Sequence, residues 1–295
     1  MIIGTRGSRL ALWQARVTKK LLEKEGIDSD LKIIKTKGDK IQNLSFDKIE
    51  GKGFFTKELE DHLLEESIDI AVHSLKDLPT TQPEGLVLGA VLERADPADW
   101  LIIRKSCVDN TQELSLKANP VIGTSSARRK AQILHFKPDA IIKDIRGNVP
   151  TRLKKLADGD FEAIILAAAG LSRLEIDLGD FFVIKFNPRE FIPAPGQGVI
   201  AIQTRKNSLS LRRLLKKIHC NDVSQCTNVE RQVLRLFDGG CHLPLGVHCR
   251  RDQHGNYHTH AAYAISINSP VEFVQISSST SAGLAHQLFK RFQVT

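Results

Sequence analysis

The sequence is poor in the residues that build metal centres, disulfide frameworks and stacking platforms. It has five cysteines, Cys107, Cys220, Cys226, Cys241 and Cys249, with no C-x-x-C pair among them. That excludes a zinc ribbon, and an odd count without paired spacing argues against a disulfide scaffold. Aromatic residues make up only 6% of the chain, and there is no RNA-binding or helix-turn-helix signature, so no nucleic-acid partner is expected. Long apolar runs are missing too. The opening MIIGTRGSRLALWQARVTKK is interrupted at Arg6, Arg9, Arg16, Lys19 and Lys20, which leaves no secretory segment and no membrane span, and the expected location is cytoplasmic. GTSSARR at 123–129 only superficially resembles a phosphate loop, because the G-x-x-x-x-G-K-[ST] spacing is absent.

The composition that remains is globular, with 41% hydrophobic and 26% charged residues and length for two or three domains. The net charge of +8 and pI near 9.3 favour anionic partners without naming them.

Periodicity reads the first ninety residues as alternating strands and helices. IIGTR is a strand; Ser8 caps a helix carrying Leu10, Trp13, Val17 and Leu21 on one face up to Gly26; LKIIKT is the next strand. A helix over TKELEDHLLEES leads into IDIAVHSL, an apolar run suited to a buried parallel strand. A second unit starts near Asp96–Pro97. Its strands WLIIR, PVIGT, AIIKDI and FEAIILA alternate with helices SARRKAQILHF and 150–159, which predicts a second parallel sheet. FIPAPGQGVIAIQTR (191–205) reads as a Pro/Gly-rich crossing followed by a strand. From Leu245 the pattern changes to hairpins, with a turn at Asp252–Gly255. The halves share an α/β texture but no usable sequence repeat.

Arginines gather where elements open: Arg6 after the first strand, Arg128 and Arg129 after VIGTSS, Arg146 after AIIKDI, and Arg152 in the first turn of a helix. In an open α/β sheet these are the carboxyl ends of strands, where ligands bind. Cations near helix starts oppose the helix dipole, and an anionic ligand supplies the missing reason. Arginine grips carboxylate or phosphate in bidentate fashion; the plain alternative is solvated surface charge.

Three further places carry chemistry. Asp77 in HSLKDLP, beside Lys76, is either a turn former or a carboxylate that stabilises a cation and moves protons. Cys241 in FDGGCHLPLG follows Gly239 and Gly240 and precedes Pro244, which suits a buried thiol or, on accessible backbone, a nucleophile or attachment point. His254, His258, His260 and Cys249 lack metal-ligand spacing and read as decoration of an exposed hairpin, so no metal is expected.

Seven motifs in order, TRGSRLALWQ (5–14), GKGFFTKELE (51–60), DIAVHSLKDLP (69–79), GTSSARR (123–129), IRGNVPTRL (145–153), PAPGQG (193–198) and ER-x7-GGCHLPLG (230–246), resemble the porphobilinogen deaminase family over essentially the whole length. The resemblance implies an α/β fold of two periplasmic-binding-protein-like domains plus a small C-terminal α+β domain: 1–94 with 191–213, then 95–190, then 214–295. It implies a covalent dipyrromethane cofactor on Cys241, with Lys76, Thr124, Ser126, Arg128, Arg129 and Arg146 as its contacts. Asp77 matches the catalytic aspartate. Arg6, Ser8, Arg146, Arg152, Arg173 and Gln197 fall on substrate-contacting positions, and Ser125 on a further hydroxyl position. Lys52, Phe54 and Phe55 lie in a loop that resembles the family's mobile active-site cover. The implied reaction condenses four porphobilinogen molecules head to tail, releases ammonia at each step, and hydrolyses the product to hydroxymethylbilane. The implied protein is a monomer without metal or nucleotide. Gln203 stands where the family often has an acid, and Pro195 enters the crossing motif.

A second reading is a non-enzymatic carboxylate-binding protein of periplasmic-receptor type. The missing signal segment and the GGC loop in an extra domain count against it.

Overall fold

The structure, a computed structural model, describes residues 1–36, 56–238 and 243–293. Residues 1–95 contribute β1 (Ile2–Thr5), α1 (Arg9–Lys24), β2 (Asp30–Ile33), α2 (Lys57–Leu64), β3 (Ile70–Ser74) and β4 (Leu86–Val91). Residues 96–195 contribute β5 (Asp99–Arg104), β6 (Val121–Gly123), α3 (Ala127–Phe136), β7 (Ile141–Lys143), α4 (Val149–Ala157), β8 (Ala163–Ala167), α5 (Ala168–Arg173) and β9 (Phe181–Lys185). Then follow β10 (Ile200–Arg205), α6 (Leu209–Leu215), α7 (Asn221–Leu236), β11 (Leu245–Arg251), β12 (Tyr257–Tyr263), β13 (Glu272–Ser278) and α8 (Leu284–Phe292).

Among the described residues two compact units form, one from 1–36, 56–95 and 196–225, the other from 96–195, 226–238 and 243–293. The first holds a sheet of order β2-β1-β3-β10-β4, in which β1 is parallel to β2 and β3 while β10 runs antiparallel to β3 and β4. The second holds a sheet of order β7-β6-β8-β5-β9, in which β6 is parallel to β7 and β8 while β5 runs antiparallel to β8 and β9. The two plans are the same: three parallel strands with the first in the middle, one antiparallel strand, then an outer strand. The repeat that the residues do not display is therefore present as topology.

The expectation of a second parallel sheet is corrected to a mixed one. β5 and β10 each begin just after the chain changes unit, at 95/96 and 195/196. A strand that arrives from another unit is not fed by a strand-helix-strand crossover, so the rule that makes such neighbours parallel does not govern it.

Local chemistry explains the helices that carry the site. In α1 the Ser8 hydroxyl accepts the Ala11 N–H at 3.3 Å, and the helix buries Ala15 and Leu22 against Ile3, Ile70 and Val72. Ser126 caps α3 and Asn148 caps α4, with Pro150 near the start of α4, where its missing N–H goes unused.

In the second unit, β11-β12-β13 forms a separate antiparallel sheet whose one face packs Val247, Cys249, Tyr257 and Ala261 on Cys226, Val229 and Val233 of α7 and Leu284 and Leu288 of α8. The exposed-hairpin reading needs correction here. His260 is buried, Cys249 lies in this core, and His258 is half-buried between Asp252 and Ser277. The hairpin's other face is covered as well, with Ala262, Ala264 and Val271 packed on Ala131 and Ile192.

Candidate active site

Each sheet ends its three parallel strands at a carboxyl edge, and Arg6, Ser8, Lys76, Asp77, Thr124, Ser126, Arg128, Arg129, Arg146 and Arg152 follow these strand ends. In the first unit Arg6 and Ser8 follow β1, and Lys76 and Asp77 follow β3 in a 3-10 turn, Leu75–Asp77. That turn is anchored from beneath: Leu75 is fully buried and its N–H donates to Val199 O at 2.9 Å. Lys76 Nζ donates to Gln197 Oε1 at 3.4 Å, and the Gln197 carbonyl accepts from Arg94 Nε at 2.9 Å. Gly196 and Gln197 of the PAPGQG motif thus lie against the HSLKDLP turn.

Asp77 itself is exposed and, among the described residues, makes no side-chain hydrogen bond or ion pair. It does not cap a helix or close a turn through its carboxylate, which removes the structural explanation for an acid there.

In the second unit the edge is formed by the ends of β6, β7 and β8. The hydroxyls after β6 serve the backbone: Thr124 Oγ1 accepts Ser126 N–H at 3.3 Å, Ser125 Oγ exchanges two hydrogen bonds with the Ile145 backbone, and Ser126 accepts Arg129 N–H. Arg146 follows β7 and is half-buried, while Arg152 Nε donates to Gly147 O at 2.8 Å. Arg173, in the last turn of α5, is buried, and burial lowers its pKa to about 10, leaving it cationic.

Arg128 and Arg129 are buried, against the plain expectation for surface arginines. Asp99, at the start of β5 and fully buried, lies between them. Its Oδ2 accepts from Arg128 Nη1 at 2.7 Å, and its Oδ1 accepts from Arg129 Nη2 at 2.6 Å and Nε at 3.2 Å. Arg128 Nη1 also donates to Ile192 O at 2.9 Å, and Arg129 Nη1 to Ile165 O at 3.0 Å. Burial alone would raise the Asp99 pKa, but the two guanidinium charges and their hydrogen bonds outweigh it and hold the acid ionised. Sequence reasoning passed over Asp99. The available signal is an acid heading the apolar strand DWLIIR, tolerable only with cationic partners.

One carboxylate against two guanidiniums leaves the trio with a net positive charge, and Arg128 Nε is buried with no acceptor. This donor set fits a ligand that carries carboxylates, with Arg146 and Arg152 following β7 on the same sheet edge.

Four of the predicted site residues, Cys241, Lys52, Phe54 and Phe55, lie outside the described residues. Cys107, Cys220, Cys226 and Cys249 form no disulfide, and no metal-ligating cluster exists among the described residues. No described helix is long and apolar enough to cross a membrane.

Comparison with known proteins adds the following. A family model for the porphobilinogen deaminase dipyromethane cofactor binding domain matches residues 1–213. The chain is 44% identical over 270 residues to a porphobilinogen deaminase of Chloroherpeton thalassium, covering 91% of this chain and 83% of that one. It is 46% identical over 248 residues to one of a Nitratiruptor species, covering 84% and 77%. Among solved structures, the periplasmic VFT2 domain of Bordetella pertussis BvgS aligns with a TM-score of 0.44 at 12% identity, covering 74% of this chain and 86% of that one.

Proposed function

The chain belongs to the porphobilinogen deaminase family, and on that premise we propose how its residues divide the work of converting porphobilinogen to hydroxymethylbilane. It is a transferase of tetrapyrrole synthesis with a dipyrromethane cofactor. When bound, the cofactor supplies the primer pyrrole whose free carbon takes up the first substrate unit. Cys241 is the attachment residue in this reading, and Arg128, Arg129, Arg146, Thr124, Ser126 and Lys76 hold the cofactor.

Asp77 carries the chemistry. Loss of ammonia from porphobilinogen leaves an electron-poor, cationic pyrrole, and a carboxylate free of other partners stabilises that charge and assists the proton transfers of departure and coupling. The observation that carries this assignment is the exposed, uncommitted Asp77 carboxylate at the end of β3.

Every porphobilinogen adds an acetate and a propionate, so the bound chain becomes more anionic with each condensation. Arg6, Ser8, Arg146, Arg152, Arg173 and Gln197 are the substrate contacts, and their cationic members offset the growing charge. Lys52, Phe54 and Phe55 belong to the cover. We take the domains as 1–94 with 191–213, 95–190, and 214–295, and the protein as a cytoplasmic monomer that binds neither nucleic acid nor membrane.

Incubation of the purified protein with porphobilinogen tests the reading. Ammonia release with formation of a linear tetrapyrrole is the expected result. Binding of porphobilinogen without ammonia release would favour the carboxylate-receptor alternative.

A further inference from the structure

We infer that Asp99 is the positioning residue of the arginine pair, holding Arg128 and Arg129 side by side so that both present their charge to a carboxylate of the pyrrole chain. The inference rests on the proposed function.

Arg128 and Arg129 are consecutive, so a helix alone points their side chains about 100° apart. Two bare guanidiniums brought together in a buried place repel each other. Asp99 removes that conflict with one oxygen for each: Oδ2 to Arg128 at 2.7 Å, Oδ1 to Arg129 at 2.6 Å. The Ile192 and Ile165 carbonyls complete the fixation.

Stability does not explain the trio. Buried ion groups gain little over apolar residues of the same volume, because desolvation offsets attraction. Here the group is also unbalanced, with one negative and two positive charges, which stability alone disfavours and an incoming carboxylate corrects. Asp99 touches neither substrate nor cofactor in this account; it acts through the arginines.

Its place in the chain adds to the argument. Asp99 heads β5, the strand that enters the second unit after the chain leaves the first, while Ile192, which takes an Arg128 hydrogen bond, lies shortly before the chain returns. The arginine pair is thus tied to both ends of the second unit's long segment.

The test is a mutant cycle on the holoenzyme with Asp99→Asn, Arg129→Gln and the double variant. The readouts are thermal melting, intact mass, and KM and kcat for porphobilinogen. Asp99→Asn is expected to melt cooperatively, to contain a fraction without the cofactor mass, and to lose at least tenfold in kcat/KM, mainly through KM. The double variant is expected to lose no more than the worse single one, because both act through the same pair. Asp99→Glu, which keeps the charge, is expected to recover part of the loss. Wild-type kcat/KM in Asp99→Asn, or losses that multiply in the double variant, would overturn the inference. Should Asp99→Asn not fold, the double variant, which loses one charge of each sign, decides: folding with the kcat/KM of Arg129→Gln supports positioning, and failure to fold makes Asp99 structural only. A wild type with neither cofactor mass nor ammonia release counts against the proposed function, which separates the two failures.

Discussion

Gly196 lies against Leu75 so closely that a Cβ at 196 would stand 2.8 Å from Leu75 Cγ, and its φ of +75° is one that L side chains rarely adopt. The contact joins the PAPGQG segment to the turn that carries Lys76 and Asp77. Placement of Asp77, the proposed catalytic acid, therefore depends on a glycine far away in sequence.

Gly196→Ala introduces both a left-handed strain and a clash with a fully buried leucine. We expect a loss of ~2 kcal/mol in stability, read as a fall in melting temperature, together with a fall in kcat as the Asp77 turn is displaced. An unchanged kcat with a lowered melting temperature would detach this contact from catalysis.

Asp77→Asn is expected to melt like the wild type, since the exposed carboxylate has no partner among the described residues to lose. Its kcat for porphobilinogen consumption should drop by roughly 100-fold or more, the usual scale for removing a charge that stabilises a transition state. Near-normal turnover removes Asp77 from its proposed role.

Gln132 pairs both ways with one residue of the return segment, donating to Ile192 O at 2.9 Å and accepting from Ile192 N at 2.6 Å. In Gln132→Leu the Ile192 N–H loses its acceptor inside the protein, a penalty of ~1–3 kcal/mol. Denaturant unfolding measures it; a change below about 0.5 kcal/mol shows that the segment finds another partner.

Stability should fall as the pH drops from 6.5 towards 4. Burial lowers the His73 pKa from 6.5 to about 4, nearby Gln203 opposes this, and nearby Arg6 adds to it. His260 is likewise lowered to about 4, by burial and by the neighbouring His248, Arg189, Arg250 and His258. Both groups bind fewer protons when folded than when unfolded within that window. Their neutral forms contribute nothing unfavourable above pH 6.5, and stability is lost progressively below it until the folded pKa is passed. The part due to His73 is on the order of 3 kcal/mol. Melting curves of wild type and His73→Gln measure it; equal pH slopes for the two proteins between 4 and 6.5 exclude His73.

Much of the framework was legible because it rests on local signals. Ser8 and Ser126 announced helix starts, IDIAVHSL a buried strand, and strand ends the places for Arg6, Arg128 and Arg146. The strands β4 and β9, LVLGAV and FFVIK, have no counterpart in the sequence reading although turn residues precede both, Pro83 and Gly85 the first and Gly179 the second. Chain direction in the sheets is not legible from periodicity, because β5 and β10 each enter their sheet after a change of unit and run antiparallel to β8 and β3. Asp99 carries only the weak signal of an acid heading an apolar strand, because its partners lie 29 and 30 residues away. The hydroxyls of Thr124, Ser125 and Ser126, which the family resemblance makes ligand contacts, also hydrogen-bond the local backbone, a second role that spacing alone does not reveal.

The account stands most directly on Cys241 as the tether. Intact-protein mass spectrometry of the purified wild type should show the sequence mass plus one dipyrromethane, and Cys241→Ser should show the sequence mass alone. A folded, catalytically active wild type at the bare sequence mass, or a Cys241→Ser protein that keeps the added mass, would contradict it.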